Sequence, residues 1–116
     1  MINLLQYLNS LIDGWLEEVP SNQEYPYIVY RLTGLEEMDE SNRRDFLLQV
    51  DIYDKSQDAM EIEILADTVD EMLNRKKHLE EGLAVRVYRN SRNMITEDGL
   101  DIKRRQLRYE VQAYIL

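Results

Sequence analysis

The stretch RRQLRYEVQAYIL, residues 104–116, alternates apolar and polar side chains with a period of two. Leu107, Tyr109, Val111, Ala113 and Ile115 fall on one side. Gln106, Arg108, Glu110, Gln112 and Tyr114 fall on the other. Successive side chains of a β-strand point to opposite faces, so this pattern predicts a strand with one dry face and one wet face. Such strands belong in an antiparallel or mixed sheet that is covered on one side only.

Working back along the chain, the same pattern recurs. LAVRVYRN (83–90) predicts a strand with Val85 and Val87 inward, followed by a turn-rich excursion over 91–102 around Asp98 and Gly99. DFLLQVDIYD (45–54) alternates strictly: Phe46, Leu48, Val50 and Ile52 share one face, while Gln49, Asp51 and Tyr53 share the other. YIVYRL (27–32) is rich in β-branched and aromatic residues, and Pro26 opens it where a missing N–H is tolerated. The polar segment 33–44 between these two strands reads as a loop or the tip of a long hairpin.

Two stretches carry the helical period instead. Leu4, Leu5, Leu8, Leu11, Ile12 and Trp15 form one stripe, which predicts a helix over 2–16 that ends before Pro20. Ala59, Ile62, Leu65, Ala66, Val69, Met72 and Leu73 form another and predict a helix over 56–79. Ser56 is its expected N-cap, and Arg75, Lys76, Lys77 and His78 lie at its C-terminal end, where cations are favoured. The order α-β-β-α-β-β predicts an α+β sandwich: a four-stranded, mostly antiparallel sheet with two helices packed on one face. At 116 residues, one domain over 1–116 is expected.

Composition narrows the chemistry. The chain has no cysteine, which removes thiolate metal sites, disulfides and cysteine nucleophiles. Fourteen basic against 23 acidic residues leave a formal charge of −9, which opposes binding of DNA or anionic membrane through the overall field. No apolar run reaches the roughly 20 residues that span a bilayer, and the N-terminus lacks the basic start and cleavage site of a signal peptide. A protein made in the cytoplasm is expected. The lone His78 stands beside two lysines, so no metal site is expected. Glu61, Glu63, Asp67, Asp70 and Glu71 read as the solvated side of the second helix rather than as an acid–base pair. Without a nucleophile next to a base, a glycine-rich phosphate loop or a nucleotide motif, neither catalytic nor cofactor-binding residues are expected. The remaining signal is eight tyrosines, many on or beside strands, together with arginines at 43–44, 86–92 and 104–108. Tyr and Arg on an exposed sheet are enriched at protein interfaces, though tyrosine is also simply a good strand residue and arginine pairs readily across strands.

PYIVYRL (26–32), FLLQVDIYDKS (46–56), ILADTVDEML (64–73) and IKRRQLRYEVQAYIL (102–116), in that order, resemble the tail terminator (tail completion, head–tail joining) proteins of long-tailed bacteriophages. The resemblance runs along nearly the whole chain; VDIYD before an acidic helix and RRQLRYEV near the end are its most distinctive parts. It implies a virion protein at the head–tail junction, made in the host bacterial cytoplasm. It implies no enzyme, no cofactor and no membrane. The expected partners are copies of itself in a ring, usually a hexamer, the major tail protein and a head-completion or neck protein. DNA would pass through the hole without specific binding, and an acidic lumen would repel its phosphates. A ring needs two different adhesive patches on each subunit. The basic Arg104 and Arg105, with Arg43, Arg44, Arg108 and Tyr114, are expected at such an interface, facing acids of a neighbour such as Glu36 or Glu37. The alternatives are a head-completion protein or a protein-interaction domain of the cytoplasm.

Overall fold

The computed structural model describes residues 2–12, 14–34, 43–55, 58–80, 82–96 and 102–115. Helix α1 (Ile2–Leu11) is followed by strands β1 (Trp15–Leu16), β2 (Tyr27–Gly34) and β3 (Arg43–Asp54). Helix α2 (Ala59–Leu73) then precedes β4 (Lys77–Glu80), β5 (Leu83–Thr96) and β6 (Lys103–Ile115). All the strands join one sheet in the order β1-β2-β3-β6-β5-β4. The β1–β2 pair is parallel and the others are antiparallel. The expectation of four strands and the order α-β-β-α-β-β is therefore wrong: six strands form one mixed, strongly curled sheet in the order α-β-β-β-α-β-β-β.

The two strands absent from the sequence reading are both edges, and each has a local cause. Trp15 fits the stripe of the first helix, but α1 stops at Leu11 and the backbone at Gly14 approaches β2 closely. A Cβ there would lie 2.7 Å from the Ile28 carbonyl oxygen. Only glycine permits that approach, and it lets Trp15 and Leu16 pair with Val29 and Tyr30. At the other edge, α2 ends at Leu73 with Asn74 as its C-cap, and Arg75 turns the chain with a φ of 63°. The Asn74 Oδ1 accepts from the Arg89 backbone N–H at 2.9 Å, which fixes the exit of the helix onto β5. Lys77–Glu80 then pair with β5 through a turn at Gly82, whose φ is 87°. The cations assigned to a helix end thus sit beyond it. The N-cap is Asp58, accepting from the Met60 N–H at 2.9 Å; Ser56 lies outside the described residues.

Strand β5 also runs six residues past the expected boundary at Asn90. Its alternation breaks at a bulge between Arg89 and Ser91. Before the bulge odd-numbered residues face inward (Val85, Val87); after it Arg92 and Met94 lie on the inner side, opposite Leu107 and Arg105. A two-residue period read without that shift fades where the strand in fact continues.

One cluster of buried side chains draws on both helices and on strands β2, β3, β5 and β6. Leu48, Val50, Ile52, Leu107, Tyr109, Val111 and Val87 of the sheet have essentially no exposure, and neither do Leu8 of α1 or Ile62, Ala66 and Leu73 of α2. Burying an aliphatic or aromatic side chain of this kind contributes about 1.5–3 kcal/mol, so this inner face dominates the fold. Helix α1 lies across the mouth of the curl. Its Asn9 accepts a 2.7 Å hydrogen bond from the Tyr30 hydroxyl of β2, and its Tyr7 ring stacks on His78 of β4 with centroids 4.2 Å apart. His78 is therefore an edge-strand residue against an aromatic ring, not a surface group at a helix end. No helix among the described residues is long and apolar enough to cross a membrane.

Candidate interaction face

Register assigns every residue of the outer sheet face to a cross-strand row. The odd-numbered residues of β3 point outward; each pairs with a neighbour on β6, and those from Leu47 to Tyr53 pair with β2 as well. Tyr27, Tyr53 and Arg104 share one row; Val29, Asp51 and Gln106 the next; Arg31, Gln49 and Arg108 the one after. Further along, Glu110 pairs with Leu47 and with Tyr88, Gln112 with Asp45 and with Arg86, and Arg43 with Tyr114. Trp15 of β1 extends the Val29 row and is 41% exposed.

Two features order this face. The first is a ladder of rings: Tyr25 and Tyr27 lie 5.1 Å apart, Tyr27 and Tyr53 stack at 5.0 Å, and the Arg104 guanidinium lies 5.3 Å from the Tyr53 ring centre. Lys55 caps the other end, 4.8 Å from the Tyr25 ring centre. These ring faces engage one another, so they are poor platforms for stacking nucleobases. The second feature is the buried Asp51. Its carboxylate accepts from Arg104 Nε at 3.0 Å and Nη2 at 2.9 Å, from Gln49 at 2.9 Å and from Gln106 at 3.3 Å. One carboxylate with four charged or amide donors ties three adjacent rows together and satisfies the buried charge.

The inner side carries a second set of charges. Glu63, Asp67 and Asp70 lie on one flank of α2, at i, i+4 and i+7, and face arginines of β5 and β6. Arg92 bridges Glu63 at 2.7 Å and Asp67 at 2.6 Å. Arg105, itself buried, donates through Nε to Glu63. Asp70 accepts from Arg89 at 3.0 Å and from the Tyr109 hydroxyl at 2.7 Å. The hydrogen bond from Arg105 holds the Glu63 carboxyl below its usual range, with Arg92 adding to it. Burial pushes the Tyr109 hydroxyl far up, helped by its bond to Asp70. Asp67 is exposed and Glu63 nearly half so, as a solvated helix side implies, yet all three acids also tie the helix to the sheet through arginines of β5 and β6. The signal was present: three carboxylates on one helical stripe, matched by arginines at 89, 92 and 105.

The expected interface residues divide accordingly. Arg43, Arg104, Arg108 and Tyr114 share the outer face, but Arg43 and Tyr114 form a row at one end of the β3–β6 ladder, Arg104 lies toward the other end and Arg108 between them. Arg43 forks onto Asp45 at 2.8 and 3.0 Å, and Arg104 is taken up by Asp51. Arg105 points to the opposite side and binds Glu63 within its own chain, so the pair Arg104–Arg105 does not form one basic patch. Arg44 is exposed and lies on the same side as Arg105, opposite Ala113. Glu36 and Glu37 lie outside the described residues. Among the described residues, the exposed arginines without a carboxylate partner are Arg31, Arg75, Arg86 and Arg108; Arg31 and Arg86 were not among the expected interface residues, because cross-strand register, not sequence, places them on the outer face with Arg108. No group of three or more metal-ligating side chains occurs among the described residues.

No protein-family model matches the chain, and no curated protein matches it. Among solved structures, a protein whose designation states no activity superposes with a TM-score of 0.64 at 12% identity, over 100% of this chain and 96% of that one. That likeness is one of fold.

Proposed function

We propose that this chain is a structural phage protein of the tail terminator type: it assembles into a ring on the end of the tail tube, stops its growth and joins tail to head. The sequence resemblance supplies the role. The observation that carries it structurally is a broad outer sheet face, covered by none of the described elements, on which tyrosines and arginines are held in register by Asp51 and the ring ladder. Preorganised Tyr and Arg of this kind are what a protein interface uses, because they add contact area at low entropic cost. The opposite side of the subunit is helical and acidic, so the two faces differ, as a head-to-tail ring requires.

Deleting the gene from a phage that carries it, followed by electron microscopy of the particles, tests the role. Tails of irregular, excessive length are expected. Tails of normal length beside heads that have lost their DNA would instead assign the chain to the head side of the junction and overturn the proposal.

A further inference from the structure

Among the described residues, no element packs on the outward side of α2. Met60, Ile64, Thr68 and Met72 recur every fourth residue and form a single stripe; Met60 is 64% exposed, Ile64 58% and Met72 41%. The stripe borders a groove against α1 lined by Leu11, Ile12, Leu65 and Val69. Glu61 and Glu71 are interleaved with it, both exposed and neither paired with a cation. The acids that do have partners, Glu63, Asp67 and Asp70, sit on the other flank. On the far side of the subunit, Arg86 and Arg108 stand exposed among Tyr88, Tyr114 and Leu47. Spacings agree as well as signs. Ten residues of helix separate Glu61 from Glu71 by about 15 Å. Four residues along the strand and one strand across separate Arg108 from Arg86 by about 14 Å.

From this complementarity we infer that the α2 stripe of one copy docks on the outer sheet face of the next, with Glu61 and Glu71 meeting Arg86 and Arg108 around a core of Met60, Ile64 and Met72. The inference deepens the ring reading and rests on it: it names the two unlike patches. It also replaces Arg104 and Arg105, which are occupied within the subunit, by Arg86 and Arg108 as the cations that face a neighbour.

The test is a charge swap in the full-length protein, read by light scattering behind size exclusion at low salt and by circular dichroism for folding. Arg86→Glu with Arg108→Glu should convert the assembly to monomer, and so should Glu61→Arg with Glu71→Arg. All four substitutions in one chain should restore it. Since the chain has no cysteine, Ile64→Cys plus Gln49→Cys provides a second measurement. The two sites lie on opposite sides of one subunit, so oxidation should give ladders of multimers, while either cysteine alone should give at most dimers. If the wild type assembles but neither charge reversal alters it, or the combined variant stays monomeric while folded, this interface is wrong and the ring reading stands. If the wild type is monomeric at millimolar concentration and the double-cysteine chain gives no ladder, both fail.

Discussion

Tyr109→Phe removes one oxygen from the centre of the molecule, and the structure states what that oxygen does. The ring is wholly buried on β6, and its hydroxyl donates to Asp70 Oδ1 at 2.7 Å, pinning α2 to the sheet. The Asp70 side chain keeps Arg89 as a partner and is 18% exposed, so water recovers part of what is lost. A hydrogen bond to a charged acceptor is worth about 1.5–3 kcal/mol, and the lower end, about 1.5 kcal/mol, applies here. Unfolding entropy near 2.1 cal/mol/K per residue gives about 0.24 kcal/mol/K for a chain of 116 residues, so the melting temperature should fall by about 6 °C. Asp70→Ala should cost more, about 2–3 kcal/mol, because the hydroxyl then stays buried without an acceptor and Arg89 loses its partner. The double variant should be less damaged than the sum of the two by about 1 kcal/mol, since both singles break the same bond. Thermal and urea unfolding followed by far-ultraviolet circular dichroism at pH 7 gives all three values. A melting temperature for Tyr109→Phe within 1–2 °C of the wild type, as an approximate bound, together with additive effects, would show that this bond does not anchor the helix.

Two further outcomes follow from local geometry. The folded Glu63 has its pKa depressed by Arg105 and Arg92, so its contribution is complete above its unfolded pKa, about 4.3, and is lost as the pH falls through the lower folded value. Wild type and Glu63→Gln should therefore differ in stability by a constant amount above about pH 5.5 and converge below about pH 4; parallel curves across that range in urea titrations would contradict it. Gly14→Ala would put a Cβ 2.7 Å from the Ile28 carbonyl oxygen and 2.9 Å from its Cγ2. Backbone cannot yield cheaply, so a loss of about 1–3 kcal/mol is expected, with faster amide exchange at Glu17, whose N–H donates to Tyr30 at 2.8 Å. Unchanged exchange there would show that β1 does not need the close approach.

What could be read from the sequence was the set of long strands and the parity of their faces. Residues 45–54 and 104–114 alternate because each has one face in the core, and that constraint is local. The edge strands were hidden because they are short and carry no period of their own. Trp15 even continues the stripe of α1, and it is the close approach of Gly14 to Ile28, fourteen residues away in sequence, that lets it join the sheet instead. The bulge after Arg89 hid the second half of β5 by reversing its parity. The charges were read only in part for a related reason. Glu63, Asp67 and Asp70 are polar in any window, and only the arrival of Arg89, Arg92 and Arg105 from distant strands makes them anchors. The outer face likewise emerges from register: Arg31 and Arg108 are separated by most of the chain but share one row through Gln49.

Helix α1 touches β2 through Asn9 and β4 through Tyr7, two strands separated by three others in the sheet. It is the clasp of an otherwise open cylinder wall. Backbone pairing fixes which strands are neighbours but leaves the bend of the wall soft; the clasp sets how tightly it bends.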